Sequence, residues 1–315
     1  MNISKSIVDR IGGTPLVRLG DPCRGRASAV YGKLERFNPI GSVKERIAWA
    51  MVQDAEKQGV LGPGGTIVEP TSGNTGVALA MVGASRGYRV VLTMPDTMSI
   101  ERRRLLTALG AELVLTPGAD GMRGAIAEAD RFVERRPDVV ILGQFDNPAN
   151  PRAHERTTGP EIWEATGGGV DIVVAGIGTG GTVTGVARYL RERKASARVI
   201  GVEPARSPFL TEGRAGPHKI QGIGAGFAPA VLERGLLAEI LPVSDEEAAR
   251  WTRYLARREG ILCGISSGAA LAAAVGVAQR ADAEGAVIVV VLPDGGEKYL
   301  SSAMWEVVDD DQSDA

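Results

Sequence analysis

The sequence predicts an α/β protein with two domains, each a mostly parallel twisted sheet flanked by helices. Two observations predict it. Short β-branched runs alternate with helical patterns along most of the 315 residues, the order in which parallel sheets are assembled. The strands also read as near-continuous apolar runs, as strands covered on both faces do. The length suggests about two domains.

The elements follow in order. In "NPIGSVKERIAWAM" (38–51), Ser42 and Glu45 have the spacing of a capping box, so a helix is expected to start at Ser42. Lys44, Ile47, Ala48, Met51 and Ala55 share one helical stripe, apolar except for Lys44, while Glu45, Arg46, Gln53 and Lys57 fall elsewhere around the helix. "TIVEP" (66–70), "RVVLTMP" (89–95), "ELVLTP" (112–117) and "VVILGQF" (139–145) read as strands, separated by helices near 75–86, 99–109 and 120–136. "NPANP" (147–151) excludes helix and central strand alike and divides the pattern near residue 148. Beyond it, "DIVVAGI" (171–177), "ARVIGVEP" (197–204) and "AVIVVVLP" (286–293) are strands, with helices near 153–166, 181–194, 245–259 and 267–281. Two sheets so divided predict two domains with a cleft between them.

Composition excludes several function classes. The chain is 44% apolar and 23% charged with a net charge of −2, so nothing attracts nucleic acid or an anionic membrane broadly. Cys23 and Cys263 are too few for a disulfide framework, and His154 and His218 as the only histidines predict no metal site. The first thirty residues lack the apolar core of a signal peptide, and "AVIVVVL" (286–292) is far too short to span a membrane. A cytoplasmic setting is expected. The 42 glycines, roughly twice the usual share, fall in clusters that suit backbone-lined loops.

Three such loops open helices, where free N–H groups and the positive helix end favour anions. "TSGNTG" (71–76) puts four hydroxyl or amide side chains in six residues, suited to a bound carboxylate; the alternative is a helix cap with a glycine turn. "GTGGT" (178–182) has two hydroxyls and little bulk, suited to a compact phosphate, and lacks the Lys-Ser or Lys-Thr of a P-loop. Gly176, Gly178 and Gly181 also fit G-x-G-x-x-G, with Glu203 placed where a ribose-binding acid would sit, so a nicotinamide oxidoreductase competes. In "GISSGA" (264–269) one serine reads equally as an N-cap. Cys263 reads as a small buried residue and Asp294 in "PDGG" as a turn residue.

Lys44 stands in the first turn of its helix, on the apolar stripe. The alternative is a snorkelling side chain. Against that, the positive helix end and apolar neighbours both favour a neutral, nucleophilic amine. A buried lysine together with a monophosphate cradle suggests a Schiff base with pyridoxal phosphate.

With these motifs in hand, the chain resembles the cysteine synthase (O-acetylserine sulfhydrylase, OASS) family of fold-type II pyridoxal-phosphate enzymes, whose fold is like that of the tryptophan synthase β subunit. The resemblance rests on "NPIGSVKERIA", "EPTSGNTG", "MPDTMSIERRRLL", "QFDNPANP", "GIGTGGTVTGV", "HKIQGIGAGF" and "GISSGAA", in order from about Ile11 to Leu300. It implies that Lys44 forms the Schiff base and later moves the Cα proton. Asn74 would bond the ring hydroxyl, Gly178, Thr179, Gly180, Gly181 and Thr182 would cradle the phosphate, and Ser266 would face the pyridine nitrogen. Thr71, Ser72, Gly73, Thr75 and Gln144 would grip the substrate carboxylate.

The implied reaction converts O-acetyl-L-serine and sulfide to L-cysteine and acetate through an α-aminoacrylate. The implied domains are 1–12 with 37–148, carrying Lys44 and the carboxylate loop, and 13–36 with 149–308, carrying the phosphate loop, before an acidic tail at 309–315. A homodimer, and docking of the C-terminal tail of serine acetyltransferase, are further family expectations. The chain departs from the family in a shorter stretch between "SPFL" and "GPHKIQ", in "IGGTPLV", which has glycine where asparagine is frequent, and in Lys298, where arginine is frequent. O-phosphoserine, or serine with homocysteine, therefore stay open as substrates, as does a catalytically idle docking paralogue.

Overall fold

A computed structural model describes residues 3–23, 25, 28–71, 73–136 and 138–305; Ser72 and the acidic tail lie outside them. In chain order the elements begin with β1 (Leu16–Arg18), β2 (Ala29–Leu34), α1 (Lys44–Lys57), β3 (Thr66–Pro70), α2 (Asn74–Arg86), β4 (Arg89–Pro95) and α3 (Ile100–Ala108). They continue with β5 (Glu112–Thr116), α4 (Gly121–Arg135), β6 (Val139–Ile141), α5 (Ala149–Arg156), α6 (Thr158–Ala165), β7 (Ile172–Gly176) and α7 (Gly181–Arg193). The last are β8 (Arg198–Pro204), α8 (Phe209–Glu212), β9 (Glu239–Val243), α9 (Asp245–Arg258), α10 (Ile265–Ala278) and β10 (Val287–Leu292).

The chain divides into two compact units, Met1–Ile11 with Asn38–Asn150, and Gly12–Phe37 with Pro151–Ala315. The first holds a four-stranded parallel sheet in the order β5-β4-β3-β6. Its central strand β4 is buried from Val90 to Pro95, as a strand covered on both faces must be. The second holds a six-stranded sheet, β1-β2-β10-β7-β8-β9, parallel except where β1 pairs antiparallel with β2. Its core includes Val174, Ile200, Ile288 and Val290 packed with α10, which is buried almost all round.

The structure corrects the sequence reading at several points. β1, β2 and β9 are unforeseen strands. In β2, Lys33 interrupts the apolar run, yet it is only 1% exposed: its Nζ donates to Thr14 O and to Glu161 Oε2, both at 2.6 Å. Pro242 disguises β9, which lies at the sheet edge where a missing N–H is tolerated. "NPANP" does not exclude helix. α5 starts at Ala149 and takes Pro151 in its first turn, where the N–H would lack an intrahelical acceptor anyway. The single helix expected near 153–166 is two, because the ring of Pro160 would clash with the carbonyl of Arg156 in a continuous helix, and the chain breaks at Thr157.

α9 and α10 approach closely at Gly268, where a Cβ would run into the Ala248 carbonyl and the Thr252 hydroxyl. Gly268→Ala should therefore lower the stability by about 1–3 kcal/mol, despite the better helix propensity of alanine. Denaturant unfolding measures this, and an unchanged midpoint would contradict the close packing.

Candidate active site

Lys44 is the first residue of α1 and is partly buried. The turn before it is fixed by Glu45, whose Oε1 accepts Ser42 N–H at 2.9 Å and whose Oε2 accepts Ile40 N–H at 3.0 Å. The Ser42 hydroxyl accepts from Lys44 N–H at 3.3 Å rather than closing the second half of a capping box, so the helix begins at Lys44 and not at Ser42. Glu45 and Arg46, assigned by sequence away from the apolar stripe, are both buried.

α1 packs against α2, which carries the first glycine-rich loop at its start. Thr71 N–H still donates to Thr93 O at 3.2 Å, and the Thr71 hydroxyl then accepts from Gly73 N–H at 3.3 Å, turning the chain into the helix. The N-cap is Gly73, so no side chain caps α2. Gly73 has φ −101°, and a Cβ there would meet no described atom within 4 Å. Neither backbone strain nor packing asks for glycine here, whereas close approach of a ligand would. Asn74 opens the helix, and buried Thr75 donates its hydroxyl proton to Gln144 Oε1 at 2.7 Å. The unit thus joins two separate stretches, 71–75 and 144, at the C-terminal ends of the adjacent strands β3 and β6.

In the second unit, "GTGGT" follows β7 and opens α7. Gly180 is the N-cap at φ 81°, a conformation that favours glycine, and a Cβ on it would lie 2.8 Å from Leu232 Cβ. A Cβ on Gly178 would strike the carbonyl of Gly222. The N–H groups of the first turn of α7 have no acceptor within the helix; that of Gly181 donates to Thr179 Oγ1 at 3.3 Å, and Thr182 adds a second hydroxyl. The loop's chemistry fits a phosphate: N–H donors, a positive helix end and two hydroxyls, with no acidic side chain. Gly222 links this loop to Ser266, since a Cβ on Gly222 would stand 3.9 Å from Ser266 Oγ. Ser266 is buried as the second residue of α10, whose N-cap is Gly264; a capping role for either serine is removed.

Two supporting residues escaped the sequence reading. His154, buried in α5, reaches Thr158 Oγ1 from Nδ1 at 2.9 Å and Thr182 Oγ1 from Nε2 at 3.2 Å, steadying a hydroxyl of the 178–182 loop. The spacing of His154 and Thr158, one helical turn apart, was the only signal available. Glu69, at the end of β3, holds the main chain around Gln144. Cys263, just ahead of α10, is buried, and burial pushes its thiol up to about 12, so it stays protonated and is no nucleophile. Among the described residues no cluster of three metal-ligating side chains occurs.

Glu203 decides the dinucleotide question. It is buried, and its oxygens accept from Leu210 N–H at 2.8 Å, Thr211 N–H at 3.0 Å and Thr211 Oγ1 at 2.5 Å. The acid that would bind a ribose is instead committed to fastening the start of α8.

Residues 7–294 match the model of the pyridoxal-phosphate dependent enzymes, and the chain belongs to that family. Within it, the chain is 54% identical over 304 residues to cysteine synthase A of Escherichia coli K12, spanning 94% of this chain and 93% of that one. The fold is similar to the crystal structure of cysteine synthase (OASS) from Entamoeba histolytica, with a TM-score of 0.95 and 45% identity over 98% of this chain and 92% of the other. It is also similar to O-ureido-L-serine synthase, with a TM-score of 0.92 and 45% identity over 99% of this chain and 100% of the other.

Proposed function

We propose that the protein is a cysteine synthase that replaces the acetoxy group of O-acetyl-L-serine with sulfide, releasing L-cysteine and acetate. The observation that carries this reading is near-full-length similarity to cysteine synthase A at 54% identity, together with Lys44 and both glycine-rich loops intact. Pyridoxal phosphate, when bound, supplies a carbonyl that condenses with an amine and a ring that draws electrons from the attached Cα.

The chain's own residues do the rest. The first-turn N–H groups of α7, with Gly178, Thr179, Gly180, Gly181 and Thr182, hold the phosphate, and His154 orients Thr182 for that task. Asn74 gives its amide to the ring hydroxyl. Ser266 offers the ring nitrogen one hydrogen bond and no negative charge, which suits a β-elimination because the departing acetate takes up the electron pair. Thr71, Ser72, Gly73, Thr75 and Gln144 bind the substrate carboxylate. Lys44 anchors the cofactor at rest, takes the Cα proton once the substrate amine has displaced it, and returns that proton after hydrosulfide has added at Cβ.

On family resemblance the proposal extends to a cytoplasmic homodimer that docks the C-terminal tail of serine acetyltransferase. Among the described residues no helix is long and apolar enough to cross a membrane. The test is direct: purified protein with pyridoxal phosphate, sulfide and O-acetylserine should yield cysteine and acetate in equal amounts. Faster turnover with O-phosphoserine as donor, or with homocysteine as acceptor, would overturn the substrate assignment.

A further inference from the structure

We propose that Glu69 is a positioning residue for the substrate carboxylate: its buried side chain holds three successive main-chain N–H groups and thereby fixes Gln144 against Thr75. This rests on the reading above, in which Thr75 and Gln144 belong to the carboxylate grip. β3 and β6 pair only as far as Val68 and Ile141. At the next residue the ladder stops, and the Glu69 carboxylate takes over. Its Oε2 accepts from Leu142 N–H at 3.2 Å and Gly143 N–H at 3.1 Å, and its Oε1 from Gln144 N–H at 3.2 Å. Gly143, at φ +66°, gives the left-handed step by which consecutive N–H groups converge on one anion.

Glu69 is 2% exposed. Burial raises its proton affinity most, the nearby Asp146 adds to that, and the three N–H groups oppose both, leaving a net rise. A buried carboxylate is an expensive choice where a strand could simply have continued. It ends β6 early and ties the 142–144 stretch to the strand that delivers residues 71–75. Asn150 Nδ2, donating to Gln144 O at 2.7 Å, holds the same residue from the other direction. With its oxygen engaged by Thr75, Gln144 is left to offer its amide N–H donors to a carboxylate. Small displacements at such a grip cost rate and affinity out of proportion to their size.

The test is steady-state kinetics of the holoenzyme as wild type, Glu69→Gln, Gln144→Ala and the double variant. Glu69→Gln keeps the shape but replaces one acceptor with a donor. It should raise the KM for O-acetylserine about tenfold, because the 142–144 stretch shifts and takes Gln144 off the carboxylate. The KM for sulfide and the cofactor content should stay near wild type, and the protein should still melt cooperatively, at a lower temperature because a buried N–H loses its acceptor. In the Gln144→Ala background the same change should add less than about twofold, because the residue it acts through is gone. An unchanged KM in Glu69→Gln, an undiminished effect without Gln144, or parallel loss of sulfide KM and cofactor would each overturn the proposal. If Gln144→Ala alone leaves the KM unchanged, the carboxylate reading has failed and takes this proposal with it; if only Glu69→Gln is silent, the carboxylate reading stands without it. Should Glu69→Gln not fold, Glu69→Asp, which draws the charge back by one methylene, carries the same comparison.

Discussion

Lys44→Ala should lower cysteine formation by at least about a thousandfold while leaving the fold intact. In the proposed mechanism the variant loses a covalent anchor and a base at once, each of which supplies orders of magnitude in related chemistry. Stability should barely change. Lys44 is the first residue of α1, and the turn is held by Glu45 bonding Ser42 and Ile40, contacts that the substitution leaves in place. Alanine is also the best helix former. Circular dichroism and melting temperature check the fold, and product assay checks turnover. Residual activity above about a thousandth of wild type would remove Lys44 from the chemistry.

Gly181→Asp should cost most of the affinity for pyridoxal phosphate, at least about a hundredfold, by setting a negative charge at the first residue of α7, beside the phosphate. Gly181 is buried, so the new carboxylate must also be desolvated, which offsets the favourable effect of an acid at a helix N-terminus. Cofactor titration followed by fluorescence should show weakened binding in a variant whose apoprotein still melts cooperatively, which separates lost affinity from a lost fold. Normal cofactor retention would place the phosphate elsewhere in the molecule.

Much of the fold was legible because both sheets are covered on both faces: β3, β4, β7, β8 and β10 are apolar runs that nothing else explains. What escaped notice was hidden by polar residues whose partners are remote in sequence. Lys33 makes β2 look like a loop until Thr14 O and Glu161 satisfy it, the latter 128 residues away. Glu45 and Arg46 read only as polar residues off the apolar stripe, because sequence cannot show that the Glu45 carboxylate is consumed by main-chain N–H groups at 40 and 42. Proline misled in the opposite sense at Pro151, since its penalty vanishes in a first turn.

The candidate site followed the same division. Glycine and hydroxyl density marked the loops at 71–76 and 178–182 as candidates, because a backbone that is to bind a ligand needs little bulk and many donors. Roles that depend on who accepts which N–H were invisible. Glu203 looked like a ribose acid and fastens α8, while Glu69 looked like one polar residue in a strand and organises the chain around Gln144. Nor could the sequence decide whether a serine of "GISSGA" caps its helix; with Gly264 as the N-cap, Ser266 is freed for another partner.

The most direct test of the central claim is the visible absorbance of the purified protein as O-acetylserine is added before any sulfide. A Lys44-linked pyridoxal phosphate should colour the protein yellow. The substrate should shift that band to longer wavelength and release about one acetate per active site as a burst. Sulfide should then restore the original band and release cysteine. A protein that stays colourless after incubation with pyridoxal phosphate, or a band that does not respond to O-acetylserine, would contradict the assignment.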